Sequence, residues 1–127
     1  MVNPRTLQRL ESRIQERAAY CLQFEIKDPR SSFVTITKVE LDSDLKRGKI
    51  YWSCLGSAAD RHKTESMLAG AAGFIQRQVA RVLETRTVPH LAWFFDDSIE
   101  KAAELDRLIS EARARDEALR PPSSEEP

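Results

Sequence analysis

The sequence is short of the residues that most often carry catalysis. It holds two cysteines, Cys21 and Cys54, and two histidines, His62 and His90, among 127 residues. Two cysteines make no disulfide framework, and each falls on the apolar side of its expected element, which reads as a buried free thiol. No histidines, cysteines and carboxylates have metal-ligand spacing. Long hydrophobic runs are also missing, since none approaches the roughly 18 residues needed to cross a bilayer. Met1-Val2-Asn3-Pro4-Arg5 lacks the charged-then-apolar order of a signal peptide. The expectation is a cytoplasmic protein with no membrane association, no cofactor and no metal. With four glycines in all, no glycine-rich phosphate loop follows a strand, and no Walker, Rossmann or serine-elbow pattern occurs. Asp96 and Asp97 are adjacent carboxylates, but neighbours on an extended chain point opposite ways and do not readily share a proton. Helix capping accounts for them better, and a small hydrolase built on them has no other support. The chain reads as a non-enzyme with no catalytic residues.

What is present fits one domain, 41% hydrophobic and 31% charged. The net charge is zero but unevenly spread. Residues 1–95 carry 15 Lys/Arg against 10 Asp/Glu, a balance of +5, and residues 96–127 carry 5 against 10, a balance of −5. A basic body with an acidic end points to an anionic partner for the body.

Residues 5–24 have helical periodicity, with Leu7, Leu10, Ile14, Ala18, Cys21 and Leu22 along one face. Arg5, Arg9, Arg13 and Arg17 repeat every fourth residue, and each step drifts about 40°, so they form one stripe over about 120° of surface. That stripe reads equally as a solvated face partly neutralised by Glu16 or as a phosphate contact, which the guanidinium fork suits. Asp28-Pro29 stops the helix, and Arg30 follows in a polar loop. The strand expected over Val34–Leu41 has Val34 and Ile36 on one parity and Val39 and Leu41 on the other, which calls for a bulge or twist near Thr37-Lys38. A connector over Asp42–Gly48 leads to a strand over Lys49–Leu55, paired antiparallel with the first. Leu91–Phe95 is a third strand, apolar enough to be covered on both faces or central to the sheet. Asp97-Ser98-Ile99-Glu100 opens a last helix, and from Leu119 onward the composition is that of a disordered tail.

Between the second and third strands, Met67, Leu68, Ala71, Ile75, Val79, Val82 and Leu83 recur at helical spacing. Gly70 and Gly73 interrupt this run, and each costs about 1 kcal/mol against alanine. Two explanations compete. Small residues let the helix pack closely on a sheet, or the helix breaks at Ala71-Ala72-Gly73 and presents backbone N–H groups to an anion. Arg77 and Arg81 lie after the glycines, Lys63 lies before them, and Lys46, Arg47 and Lys49 flank the hairpin. Exposed aromatic rings are not evident apart from Tyr51, which favours recognition of nucleic-acid backbone or shape over reading of unpaired bases.

Four segments in order resemble the ribosome-binding factor A family. They are Asp28-Pro29-Arg30, the strand Val34-Thr35-Ile36-Thr37-Lys38-Val39-Glu40, the helix segment Ala71-Ala72-Gly73-Phe74-Ile75, and Arg86-Thr87-Val88-Pro89-His90-Leu91 running into Trp93-Phe94-Phe95-Asp96-Asp97-Ser98. With the first helix they cover residues 5–110. The resemblance implies an α+β, type II K-homology-like fold of order α-β-β-α(kink)α-β plus a C-terminal helix, with helices on one face of a three-stranded sheet. It implies a helix–kink–helix at Ala71, Ala72 and Gly73 in place of a G-x-x-G loop. It also implies a factor, monomeric when free, that binds the immature small ribosomal subunit and its rRNA and promotes late maturation of the rRNA ends and decoding region. The resemblance further implies that assembly GTPases act in the same pathway and that growth in the cold depends on it. The chain departs from the family in its neutral overall charge and in Gln76, where a basic residue is usual.

The expected division is a K-homology-like RNA-binding domain at 1–98, an acidic helix at 99–118 and a tail at 119–127. The RNA-contact set is Arg5, Arg9, Arg13, Arg17, Arg30, Lys46, Arg47, Lys63, Arg77 and Arg81. The alternative is a protein-interaction adaptor that uses the acidic C-terminal helix, with RNA contact incidental.

Overall fold

In a computed structural model, which describes residues 2–119, the chain forms two units divided between Asp96 and Asp97. The first unit opens with α1 (Pro4–Tyr20) and continues without a gap into a π-helical turn over Cys21–Glu25. Asn3 caps α1 by accepting the Arg5 N–H at 2.8 Å, and Pro4 occupies a first-turn position where no N–H is needed. The helical trace therefore ends three residues before Asp28, and Asp28 instead caps a 3-10 turn over Pro29–Phe33.

Strands β1 (Val34–Leu41) and β2 (Arg47–Cys54) pair antiparallel, and β3 (His90–Phe95) pairs parallel with β2, giving the order β1-β2-β3. The expected bulge is present: the β1–β2 register shifts between Ile36 and Lys38. It brings Ile36, Val39 and Leu41 all into the core although their parities differ. The extra residue, Thr37, donates its hydroxyl to Asp96 Oδ2 at 2.6 Å. Asp96 thus ties the end of β3 to the bulge. The neighbouring Asp97 stands before α3, where its carbonyl accepts the Lys101 N–H.

The expectation that the third strand is central or covered on both faces is not met. β3 lies at an edge and Phe94 is exposed. Its apolar run has another cause: Leu91 enters the core, and Phe95 meets Trp52 edge-on at 5.0 Å between centroids. β2 is the central strand.

Helix α2 (Ala58–Val82) makes the crossover between the parallel strands. Ser57 and Asp60 form a reciprocal capping box at its start. The core joins Ile14, Ala18, Cys21 and Leu22 from α1 and the π-turn, Leu68, Ile75 and Val79 from α2, and Ile36, Val39, Leu41, Ile50, Trp52 and Leu91 from the sheet. The break that was one of the two explanations at Ala71-Ala72-Gly73 does not occur, because α2 runs through these residues without interruption. Burial of Leu68, Ile75 and Val79 outweighs the propensity cost of two glycines. Close packing on the sheet does not explain them either, since Gly70 and Gly73 are exposed and neither has positive φ. Of the two thiols, Cys21 is fully buried and Cys54 only half-buried.

The second unit contains α3 (Ser98–Leu119), none of whose residues is buried. Of the expected tail, all but Leu119 lies outside the described residues.

Gly70→Ala should raise the unfolding free energy by about 0.5–1 kcal/mol in urea titration. The position has ordinary helical φ, and a methyl group there would meet nothing within 4 Å. A loss of stability would mean that the helix needs the glycine after all.

Candidate nucleic-acid interface

Two rows of side chains meet where α1 and α2 run together. On α2, Lys63, Ser66, Gly70, Gly73, Arg77 and Arg81 follow one another at steps of three and four, and all are exposed. They form one strip roughly 27 Å long, facing away from buried Leu68, Ile75 and Val79. Its middle is bare helical backbone. A Cβ at Gly73 would approach only Arg77 Nη1, at 3.4 Å. A bulky polyanion can therefore come close to the helix between cations at its two ends.

On α1, Arg5, Arg9 and Arg13 line a shallow groove with Gln8 and Ser12. Arg13 also lines a second groove with Glu16, Arg17, Tyr20, Arg81, Val82 and Glu84, so the two rows converge at Arg13 and Arg81. Arg13 Nη1 donates to the Val82 carbonyl at 3.4 Å, at the helix end that favours cations.

Arg17 has a different task from the other three arginines of its stripe. It is ion-paired with Glu25, donates to Gln78 Oε1 at 3.1 Å, and donates to Cys21 Sγ at 3.5 Å. It braces α1, the π-turn and α2 together. The hydrogen bond to Glu25 holds the Arg17 pKa above its ordinary value and the Glu25 carboxyl below its own. Burial, together with the hydrogen bond to Glu25, pushes the Cys21 thiol up to about 11, which leaves it protonated and unreactive.

Arg30 stands near the start of α2. Its N–H meets Asp28 Oδ1 at 2.9 Å, and its guanidinium lies 3.7 Å from Asp28 Oδ2. It lines a groove with Phe33, Leu55, Gly56, Asp60 and Thr64. The Ser57 N–H holds the Asp60 pKa down, with smaller help from Lys63 and Arg30. Lys46 and Arg47 belong to the hairpin, where Arg47 lines a groove with Lys49, His90 and Phe94. The helices therefore carry Arg5, Arg9, Arg13, Arg17, Lys63, Arg77 and Arg81, while Lys46 and Arg47 lie on the hairpin, Arg47 in a groove that shares no residue with the two beside α1.

Sequence reasoning missed two features. Tyr20 and Phe24 are 53% and 65% exposed, with ring centroids 4.9 Å apart, and Phe33 and Phe94 are exposed too, whereas Tyr51, the one ring expected to be exposed, is half-buried. Their spacing of four on a helix was the available signal. Gln76 is the other. Its Nε2 donates to the Pro89 carbonyl at 2.7 Å, and its Oε1 accepts the Leu91 N–H at 3.0 Å. This amide clamps α2 to the start of β3. Nothing in the local sequence distinguishes such a glutamine from a solvated one.

A family model for ribosome-binding factor A matches residues 6–109. The chain belongs to the ribosome-binding factor A family. It is similar to the ribosome-binding factor A of Thioalkalivibrio sulfidiphilus, 40% identical over 119 residues that make up 94% of this chain and 92% of that protein. A Thermotoga maritima protein solved by NMR superposes with a TM-score of 0.65 at 33% identity, over 79% of this chain and 95% of the other. Coordinates of the Thermus thermophilus ribosome binding factor A, a homology model fitted into the cryo-EM map of a 30S–RbfA complex, share the fold with a TM-score of 0.55 at 21% identity, over 70% and 93% of the two chains. The ribosome-binding factor A match spans both rows except Arg5, and it includes Gln76.

Gln76→Leu keeps the volume but strands a backbone donor and acceptor, so urea unfolding should report a loss of about 1–3 kcal/mol. Stability equal to the parent would show that the clamp contributes nothing. Folding lowers the Glu25 pKa, so its contribution is complete above the ordinary carboxylate value of about 4.3 and disappears as pH falls through the folded value. Glu25→Gln should therefore be less stable than the parent near neutrality, with the difference closing in acid. A difference independent of pH would remove the ion pair as its cause.

Proposed function

We propose that the chain is a non-enzymatic assembly factor that binds the immature small ribosomal subunit through its rRNA and promotes late maturation of the rRNA ends and decoding region. The observation that carries this reading is the convergence of the α1 arginines and the α2 strip at Arg13 and Arg81, beside helical backbone left bare by Gly70 and Gly73. A phosphodiester backbone needs cations arranged along a line and room to approach, and this surface supplies both. The guanidinium groups suit paired phosphate oxygens better than lysine would. No step of bond making or breaking is required of the protein, because the binding free energy itself favours one rRNA arrangement over another.

In this reading the fold is a type II K-homology-like arrangement in which bare helix replaces the customary phosphate loop. The factor works as a cytoplasmic monomer, alongside assembly GTPases in the same pathway. The fitting of Thermus thermophilus ribosome binding factor A into a map of its 30S complex supports the choice of partner. A neutral chain can bind RNA because its opposite charges are separated along the sequence.

Reversing Arg9, Arg13 and Arg81 together to Glu should abolish co-sedimentation with precursor small subunits. It should also flatten the salt dependence of binding, by about 0.7–0.9 in log–log slope for each phosphate that is no longer neutralised. Unchanged binding and slope would show that another surface is used. An adaptor reading draws on α3, where Ile99, Leu105, Leu108 and Ile109 are exposed. Changing Leu105, Leu108 and Ile109 to Ser separates the two readings, since subunit association survives if RNA is the main contact and fails if α3 is.

A further inference from the structure

Resting on the RNA-binding reading above, the pair Tyr20 and Phe24 extends it from backbone contact to base contact. Single exposed aromatic rings are common on protein surfaces and need no explanation. Here two rings touch each other, tilted by 50°, while each keeps more than half of its surface in solvent. They stand on a rigid base. Cys21 and Leu22, between them in the chain, are buried in the core. The Arg17 guanidinium lies 5.5 Å from the Tyr20 centroid and is itself held by Glu25 and Gln78. The rings are thus held in place before any partner arrives, which lowers the entropic cost of using them.

The charges around the rings separate two kinds of ligand group. The groove of Arg5, Arg9 and Arg13 has no carboxylate in its lining. The adjoining groove that reaches Tyr20 contains Glu16 and Glu84. The first groove is purely cationic, whereas in the second the two carboxylates offset part of the charge of Arg13, Arg17 and Arg81 and can accept the amino hydrogens of an uncharged base. We propose that Tyr20 and Phe24 form a stacking platform for an unpaired base of single-stranded RNA whose phosphates run along Arg13, Arg9 and Arg5. Stacking of this kind accepts any base and adds affinity only where the strand is unpaired.

The test compares binding of a short oligoadenylate and of an RNA duplex of the same length to the full chain. Tyr20→Leu with Phe24→Leu should weaken oligoadenylate binding about tenfold or more, as loss of base–aromatic stacking does, while duplex affinity and the salt slope stay unchanged. Tyr20→Phe with Phe24→Trp should restore it. Urea unfolding checks that both variants fold, which is expected at two exposed positions. Three results would overturn the platform: oligoadenylate binding that the leucine variant does not weaken, equal losses on both RNAs, or loss of subunit association alone, which would mean that a protein covers the rings. Arg9→Glu with Arg13→Glu separates this from failure of the underlying reading. If that variant loses precursor subunits while the leucine variant binds oligoadenylate normally, only the platform fails. If it keeps them, the RNA-binding reading fails as well.

Discussion

A single helix must join two parallel strands, and most of the molecule follows from that requirement. Parallel neighbours need a crossover, and α2 provides it between β2 and β3. At 25 residues it is about 37 Å long, against about 26 Å for the eight residues of β2. It has more side chains than the sheet can use. Leu68, Ile75 and Val79 take the core positions, and the opposite row is left to solvent. On that row glycine costs helix stability without contributing to packing.

The arginines of α1 divide by work although they repeat at one spacing. Arg17 faces Glu25 and Gln78 and acts within the fold. Arg5, Arg9 and Arg13 face outward and keep their charge available. The dividing line is set by the π-turn, which brings Glu25 back against the last turns of α1. A stripe that is regular in sequence is thus partly structural and partly free, and only the three-dimensional position of one glutamate tells which is which.

Much of the architecture was legible in the chain. The parity conflict between Ile36 and Val39 required the bulge, because a two-residue period cannot place both inward. The hairpin and the arginine stripe followed from spacing. The helix break did not survive, because local propensity weighs about 1 kcal/mol per glycine while the burial of a whole helix face weighs several times more. The position of β3 was misread, since an apolar run looks the same in a central strand and in an edge strand that packs through Leu91 and Phe95. Within the candidate interface, the rows on each helix were readable by counting. Their convergence at Arg13 and Arg81 and the amide clamp of Gln76 were not, because each depends on contacts between elements distant in sequence.

The edge position of β3 gives the Gln76 clamp a second meaning. An edge strand presents unpaired N–H and C=O groups that can recruit a strand from another molecule. The side of β3 turned away from β2 begins with the Pro89 carbonyl and the Leu91 N–H, and both are already occupied by the Gln76 amide. An incoming strand would find its first two partners taken and only a few residues of edge remaining. The same side chain that fixes the sheet to the helix also shields the chain against self-templated aggregation, and a lysine or arginine in its place, having donors but no acceptor, could satisfy only half of that edge.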